Sequence, residues 1–176
     1  MTYGVNVIYT VWRMLDTHSA FLKRRRAMVN HTAKTQIPQS LKAGVFNGRG
    51  IFDLGAKNEA YADYFTGTSY LALLNQPGLI VANVTFEPGC RNFWHVHHEG
   101  GQILLVTGGR GWYQEFGQPA QALNVGDVVH IAPGTKHWHG AAKDSWFSHV
   151  AIEIPVEGAS NEWCEPVTDE EYAELG

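Results

Sequence analysis

At 176 residues the chain is long enough for one domain with a buried core and too short for two of ordinary size. Apolar residues at 44% and charged residues at 17% fit a compact folded protein and exclude general disorder. Thirteen basic against seventeen acidic side chains give a net charge of -4, so no overall positive field is present to hold nucleic acid or an anionic membrane.

The first 48 residues differ from the rest and are read as an N-terminal arm, helical or extended, ahead of a domain over 49–176. Thr10 to Met28 permits a helix, and Lys23-Arg24-Arg25-Arg26 reads as a solvated face. The apolar run Val5 to Trp12 falls short of the ~20 residues that span a bilayer, and the basic cluster follows it, which reverses the order of a signal peptide. A protein that is not exported is expected, with Met28 as an alternative start. Cys90 and Cys164 are too few for a disulfide framework, so free thiols in a reducing cytoplasm are expected.

From about Phe65 short strands alternate with turn signals at intervals near ten residues, the pattern of an all-β sandwich or barrel. Strands are predicted over Ser69 to Leu74, Leu79 to Phe86, Asn92 to His97, Ile103 to Thr107 and Gly111 to Glu115. Further strands are predicted over Gln121 to Leu123, Asp127 to Ile131, Lys136 to Gly140 and Phe147 to Ile154. Pro88-Gly89, Gly108-Gly109, Gly117, Gly126 and Pro133-Gly134 are the turns between them. Thr168 with Glu171 three residues on makes a capping box for a short helix over Asp169 to Leu175.

Seven of the nine histidines lie between positions 95 and 149. Residues two apart on a strand project to one face, so His95 and His97 point the same way and Val96 points opposite. His137 and His139 repeat this around Trp138, on a strand that a barrel can bring alongside the first pair. Single strand histidines usually hydrogen-bond in a core or on a surface, but neutral imidazoles doubled on adjacent strands can bind one divalent metal. His149, in phase with Ala151 and Glu153, supports the site from behind, and His130 can also point inward. His98 is out of phase and is assigned to a loop or the outer surface, as is Glu99 to a loop. Phe93, Trp94, Trp112, Trp138 and Phe147 are read as packing aromatics.

Gly89 is followed after five residues by His95-Val96-His97, after four more by Gln102, and then by Gly108. Gly126-Asp127 is followed by Ala132-Pro133-Gly134, two residues and His137. Together these segments resemble the two motifs of the cupin family. The resemblance implies an all-β double-stranded β-helix, a jelly-roll barrel, with one divalent metal held by His95, His97, Gln102 and His137. Three positions depart from the family pattern: Gln102 replaces a glutamate, Ala132 a proline, and Ala141 an asparagine. Gly100-Gly101-Gln102, Lys136-His137-Trp138-His139-Gly140 and the tail Glu165 to Tyr172 are similar to small single-domain cupins. Some of these are manganese-dependent hydroxynitrile lyases, and others resemble cupins associated with carboxymuconolactone decarboxylases.

An amide oxygen is a neutral ligand, so a dication bound with Gln102 keeps its full charge and is the stronger Lewis acid. His139, one pair along from His137, is assigned either to proton transfer or to hydrogen-bonding support of the ligands. Three functions are open: a metal-dependent lyase or isomerase on a small molecule, an iron(II) dioxygenase, and a non-catalytic ligand-binding module. Manganese is the preferred metal, with iron, zinc, nickel or cobalt accommodated by the same donors. The resemblance also implies a homodimer, with the Phe65 to Leu74 segment as the exchanged part.

Overall fold

The computed structural model describes residues 50–75 and 78–176. The arm predicted over 1–48, its helix and the alternative start at Met28 lie outside the described residues. Twelve strands follow in order among the described residues. The first six are β1 (Ala56–Lys57), β2 (Phe65–Thr66), β3 (Ser69–Leu73), β4 (Ile80–Phe86), β5 (Arg91–Asn92) and β6 (His95–His98). The rest are β7 (Gln102–Glu115), β8 (Gln121–Asn124), β9 (Val128–Ile131), β10 (Lys136–Ala141), β11 (Phe147–Glu153) and β12 (Ser160–Trp163). A 3-10 helix, Glu59–Tyr64, precedes β2, and a short helix α1, Asp169–Ala173, follows β12.

All pairings are antiparallel, and β7 belongs to two sheets. Its first half runs between β9 and β11, continuing through β4 and β3 to β1. Its second half runs between β8 and β10, and β10 pairs onward with β5 at one end and β6 at the other. Strand β2 adds to β5, and β12 adds to β6. Phe86, Leu104, Val106, Tyr113, Leu123, Ile131 and Phe147 from both sheets form one buried cluster, so the sheets close around a common core. The all-β jelly roll expected from the sequence is the fold observed.

The expected turn at Gly108-Gly109 is absent, and the two strands predicted around it are one. Ser148 faces Gly108 while His149 faces Val106, so Thr107 is an extra residue, a β-bulge. Gly109 carries a φ of 67°, which a residue with a side chain adopts only at a cost. The bulge changes the inward phase from Gln102, Leu104 and Val106 to Gly111 and Tyr113, and lets one strand turn the corner between the sheets. A second correction concerns Asn92 to His97, which is split into β5 and β6. At the break Phe93 donates to the Tyr64 carbonyl and Trp94 to that of Glu165, so the backbone pairs alternately with two neighbours. Strands β1, β2 and β12 carry no alternation of their own and exist through their partners.

The C-terminal segment covers the outer face of β10. Trp94, Trp138, Val167 and Tyr172 form a second buried cluster there, with Trp112 against it, while Phe147 belongs to the main core. This cover explains why every residue from His137 to Ala141 is buried although side chains alternate between faces. Thr168 caps α1 with the full capping box read from the sequence. Arg91, its side chain only 5% exposed, ties the segment down. It donates to the Val167 carbonyl at 3.1 and 3.2 Å and to Asp169 at 2.5 Å, and lies 4.5 Å from the Tyr172 ring centre. No helix among the described residues is long and apolar enough to cross a membrane. Replacing Arg91 by Ala removes charged donors from the Val167 carbonyl and is expected to lower stability by about 2–3 kcal/mol. Urea denaturation followed by tryptophan fluorescence measures it, and an unchanged midpoint would refute the anchoring role.

Candidate metal centre

Strand β10 pairs with β6 so that His137 lies directly opposite His95. Directly opposed side chains on neighbouring strands are close, and the two ring centres are 4.1 Å apart. Alternation brings His97 and His139 to the same interior, with His97 5.2 Å from His95 and 5.5 Å from His137 between ring centres. One ring nitrogen each of His95, His137 and His139 lies within 4.8 Å of the others, a grouping that could hold a metal ion and that takes in His139, read from the sequence for proton transfer or ligand support, rather than His97. Gln102 begins β7 pointing inward beside them. A Cβ on Gly100 would meet the Ile154 carbonyl and one on Gly101 that of Ile131, so the glycine pair lets the chain pass between β9 and β11 to present Gln102.

The ring hydrogens are fixed from outside. His95 Nδ1 donates to the Phe93 carbonyl at 2.9 Å and His137 Nδ1 to the Thr135 carbonyl at 2.9 Å. Each ring therefore carries its proton on Nδ1 and a lone pair on Nε2. Buried Nε2 atoms of His97 and His137 and the Oε1 of Gln102 have no hydrogen-bond partner. Three buried acceptors without donors are costly unless something accepts electron density from them, and a divalent cation is such a group. The donor set of imidazoles and one amide oxygen therefore fits a first-row divalent metal.

His139 is held differently. The Asn92 Oδ1 accepts from the His139 backbone N–H at 2.9 Å, which turns the Asn92 Nδ2 donor toward the ring, 3.1 Å from Nε2. Asn92, 2% exposed, was not singled out in the sequence, where it reads only as a strand residue. His149 is fully buried in phase with Ala151 and Glu153, its ring 4.7 Å from that of His139, and neither of its nitrogens has a partner. His130 is exposed and takes no part, which corrects its inward reading: β9 turns Ile131 into the core and His130 away from it. His98 bonds Glu162 at 2.8 Å on the surface, and Glu99 is exposed in the turn, as read from their phase.

Burial keeps these histidines neutral. Desolvation holds His95 and His139 well below the ordinary imidazole range, with neighbouring histidines adding to it. It lowers His137 to about 4 and His149 to about 3, and it also lowers His97, against the opposing charge of Glu153. Neutral imidazoles at neutral pH are the form that binds metal.

His95, His97, Gln102, His139 and His149 line a cavity of about 570 Å³. Leu71, Leu73, Leu79, Ile80, Ala82 and Val84 make much of its apolar wall. Trp163 lines it too, stacked on Tyr64 at 4.7 Å and 4.8 Å from His95 between ring centres. Nothing in the sequence marks Trp163 as a wall residue, because β12 lacks alternation. The aromatics named from the sequence pack elsewhere: Trp94, Trp138 and Phe147 are core residues.

Residues 82–152 match the family model described as cupin domain. The chain is 46% identical over 121 residues to an (R)-mandelonitrile lyase of Granulicella tundricola, spanning 66% of this chain and 92% of that protein. The chain belongs to the cupin family. Among solved structures, this cupin is similar to a cupin-like protein of Thermotoga maritima, with a TM-score of 0.66 and 45% identity over 70% of this chain and 95% of that one. A cupin 2 conserved barrel domain protein of Rhodopseudomonas palustris shares the fold, at a TM-score of 0.53 and 17% identity over 68% of this chain and 81% of that one.

Because the folded cupin resists protonating these rings while the unfolded chain takes up protons near pH 6.5, the unfolded state binds more protons below that pH. Stability of the metal-free protein is therefore full above about pH 6.5 and is lost as pH falls toward 4, by up to ~1.4 kcal/mol per pH unit for each ring that stays neutral. Thermal melts across that range should show the decline, with a shallower slope in His149→Leu. A flat profile would contradict the neutral buried cluster.

Proposed function

We propose that the protein is a metal-dependent lyase that cleaves a small, largely apolar cyanohydrin into an aldehyde and hydrogen cyanide. The observation that carries this reading is the set of buried polar atoms without partners, His97 Nε2, His137 Nε2 and Gln102 Oε1, gathered around His95, with His95, His97 and Gln102 lining a largely apolar cavity. The likeness to an (R)-mandelonitrile lyase over 92% of that protein supports the choice of reaction. Mandelonitrile is the cyanohydrin of benzaldehyde, and an aryl group suits the leucine-rich wall beside Trp163.

In this reading His95, His97, Gln102 and His137 are the metal ligands, with manganese the preferred ion. A bound dication acts as a Lewis acid for the oxygen or nitrogen that gains negative charge on cleavage. His139 is the proton carrier because it lines the cavity beside the ligand group; its Nε2 lone pair, which faces the Asn92 amide, is the acceptor it turns to the substrate hydroxyl. It takes the hydroxyl proton as the carbonyl forms and the carbon–cyanide bond breaks with its electron pair going to cyanide. The imidazolium so formed gives up its proton readily, since burial and four neighbouring histidines disfavour it, and it returns the proton to cyanide. Pairing of two copies belongs to the same proposal, supported by exposed Leu73, Ile80 and Val128; light scattering of the whole chain at monomer mass would discard it.

The test is release of benzaldehyde and cyanide from mandelonitrile by the manganese-loaded protein. His137→Ala should lose both metal and activity, whereas His139→Asn should retain metal and lose roughly 10²-fold or more in kcat. Manganese-loaded protein with no turnover would sink the lyase reading, and oxygen uptake with iron(II) would replace it with a dioxygenase.

A further inference from the structure

The centre has a neutral amide, Gln102, where the family pattern has a carboxylate, yet a carboxylate stands beside it. Glu153 is the only acidic side chain lining the main cavity among the described residues. Strands β11 and β7 place it directly opposite Gln102, on the same face as Ala151 and His149. On the other sheet, β12 places Asn161 directly opposite His97. These two cross-strand neighbours meet, as Asn161 Nδ2 donates to Glu153 Oε1 at 3.4 Å. One hydrogen bond thus links the residue beside Gln102 with the residue beside His97 across the mouth of the barrel. His97, Glu153 and Asn161 also line a second cavity of about 180 Å³, so the pair forms part of the wall between the two spaces.

Both His95 and His137 have a backbone carbonyl on Nδ1 that turns Nε2 inward. The carboxylate of Glu153 and the amides of Asn161 and Gln102 each favour the protonated form of the His97 ring, against its burial. Three neutral imidazoles and an amide leave a dication uncompensated, and a carboxylate a few ångströms beyond its ligands offsets part of that charge.

We propose that Glu153, held by Asn161, is a positioning residue that gives the cation site the negative charge its ligand Gln102 lacks. This rests on the metal centre described under the proposed function. The variants Glu153→Gln, Glu153→Asp and Asn161→Ala of the full chain are titrated with Mn²⁺ by calorimetry at one fixed pH, and frozen-solution electron paramagnetic resonance reports the bound ion. Melts of the metal-free proteins separate a folding defect from lost binding. Glu153→Gln is expected to weaken Mn²⁺ binding about 10-fold or more and to alter the spectrum, with Glu153→Asp recovering part of the affinity. Asn161→Ala should alter the spectrum in the same direction. Affinity within about two-fold of the parent and an unchanged spectrum in Glu153→Gln overturn the proposal while leaving the centre intact. A parent chain that binds no Mn²⁺ overturns the centre and the proposal together.

Discussion

The site depends on the antiparallel register of β6 and β10. With His137 directly opposite His95, the alternation of each strand delivers His97 and His139 to the same interior without further adjustment. A one-residue slip of either strand would turn that strand's two imidazoles outward and bring Val96 or Trp138 in, so the pairing is specified as strongly by what it buries outside as by what it gathers inside. Trp138, packed with Trp94, Val167 and Tyr172, is the reason the slip cannot occur at low cost.

This arrangement explains why the C-terminal segment matters to a site it never touches. By covering the outer face of β10 it makes both faces of the strand dry, and Arg91 fastens it through Val167 and Asp169. Dry surroundings then determine the protonation of the histidines. Desolvation, more than any single partner, keeps them neutral with lone pairs available. Backbone carbonyls on Nδ1 decide which nitrogen offers that lone pair.

Much of the site was legible in the chain because a strand has a period of two. His95, His97, His137 and His139 could be paired before any fold was known, and His98 and Glu99 set aside, on phase alone. His130 shows the limit of phase: β9 ends with Ile131 turned into the core and His130 exposed, and alternation by itself does not say which face is inside. The bulge at Thr107 was misread as a turn, since Gly108-Gly109 has the composition of either, and only the pairing with β11 distinguishes them. Asn92, Trp163 and Asn161 left no signal because each acts through a cross-strand neighbour distant in sequence.

The sequence by itself determined the strand periodicity, the turns and the kinds of donor atom available, since these follow from local sterics and side-chain chemistry. Tertiary structure alone decided which strands pair and in what register, and so which atoms meet. It also decided which ring nitrogens are left without partners and which carboxylate reaches the cavity. Those outcomes come from contacts between segments tens of residues apart, and their energies depend on burial that no single segment possesses.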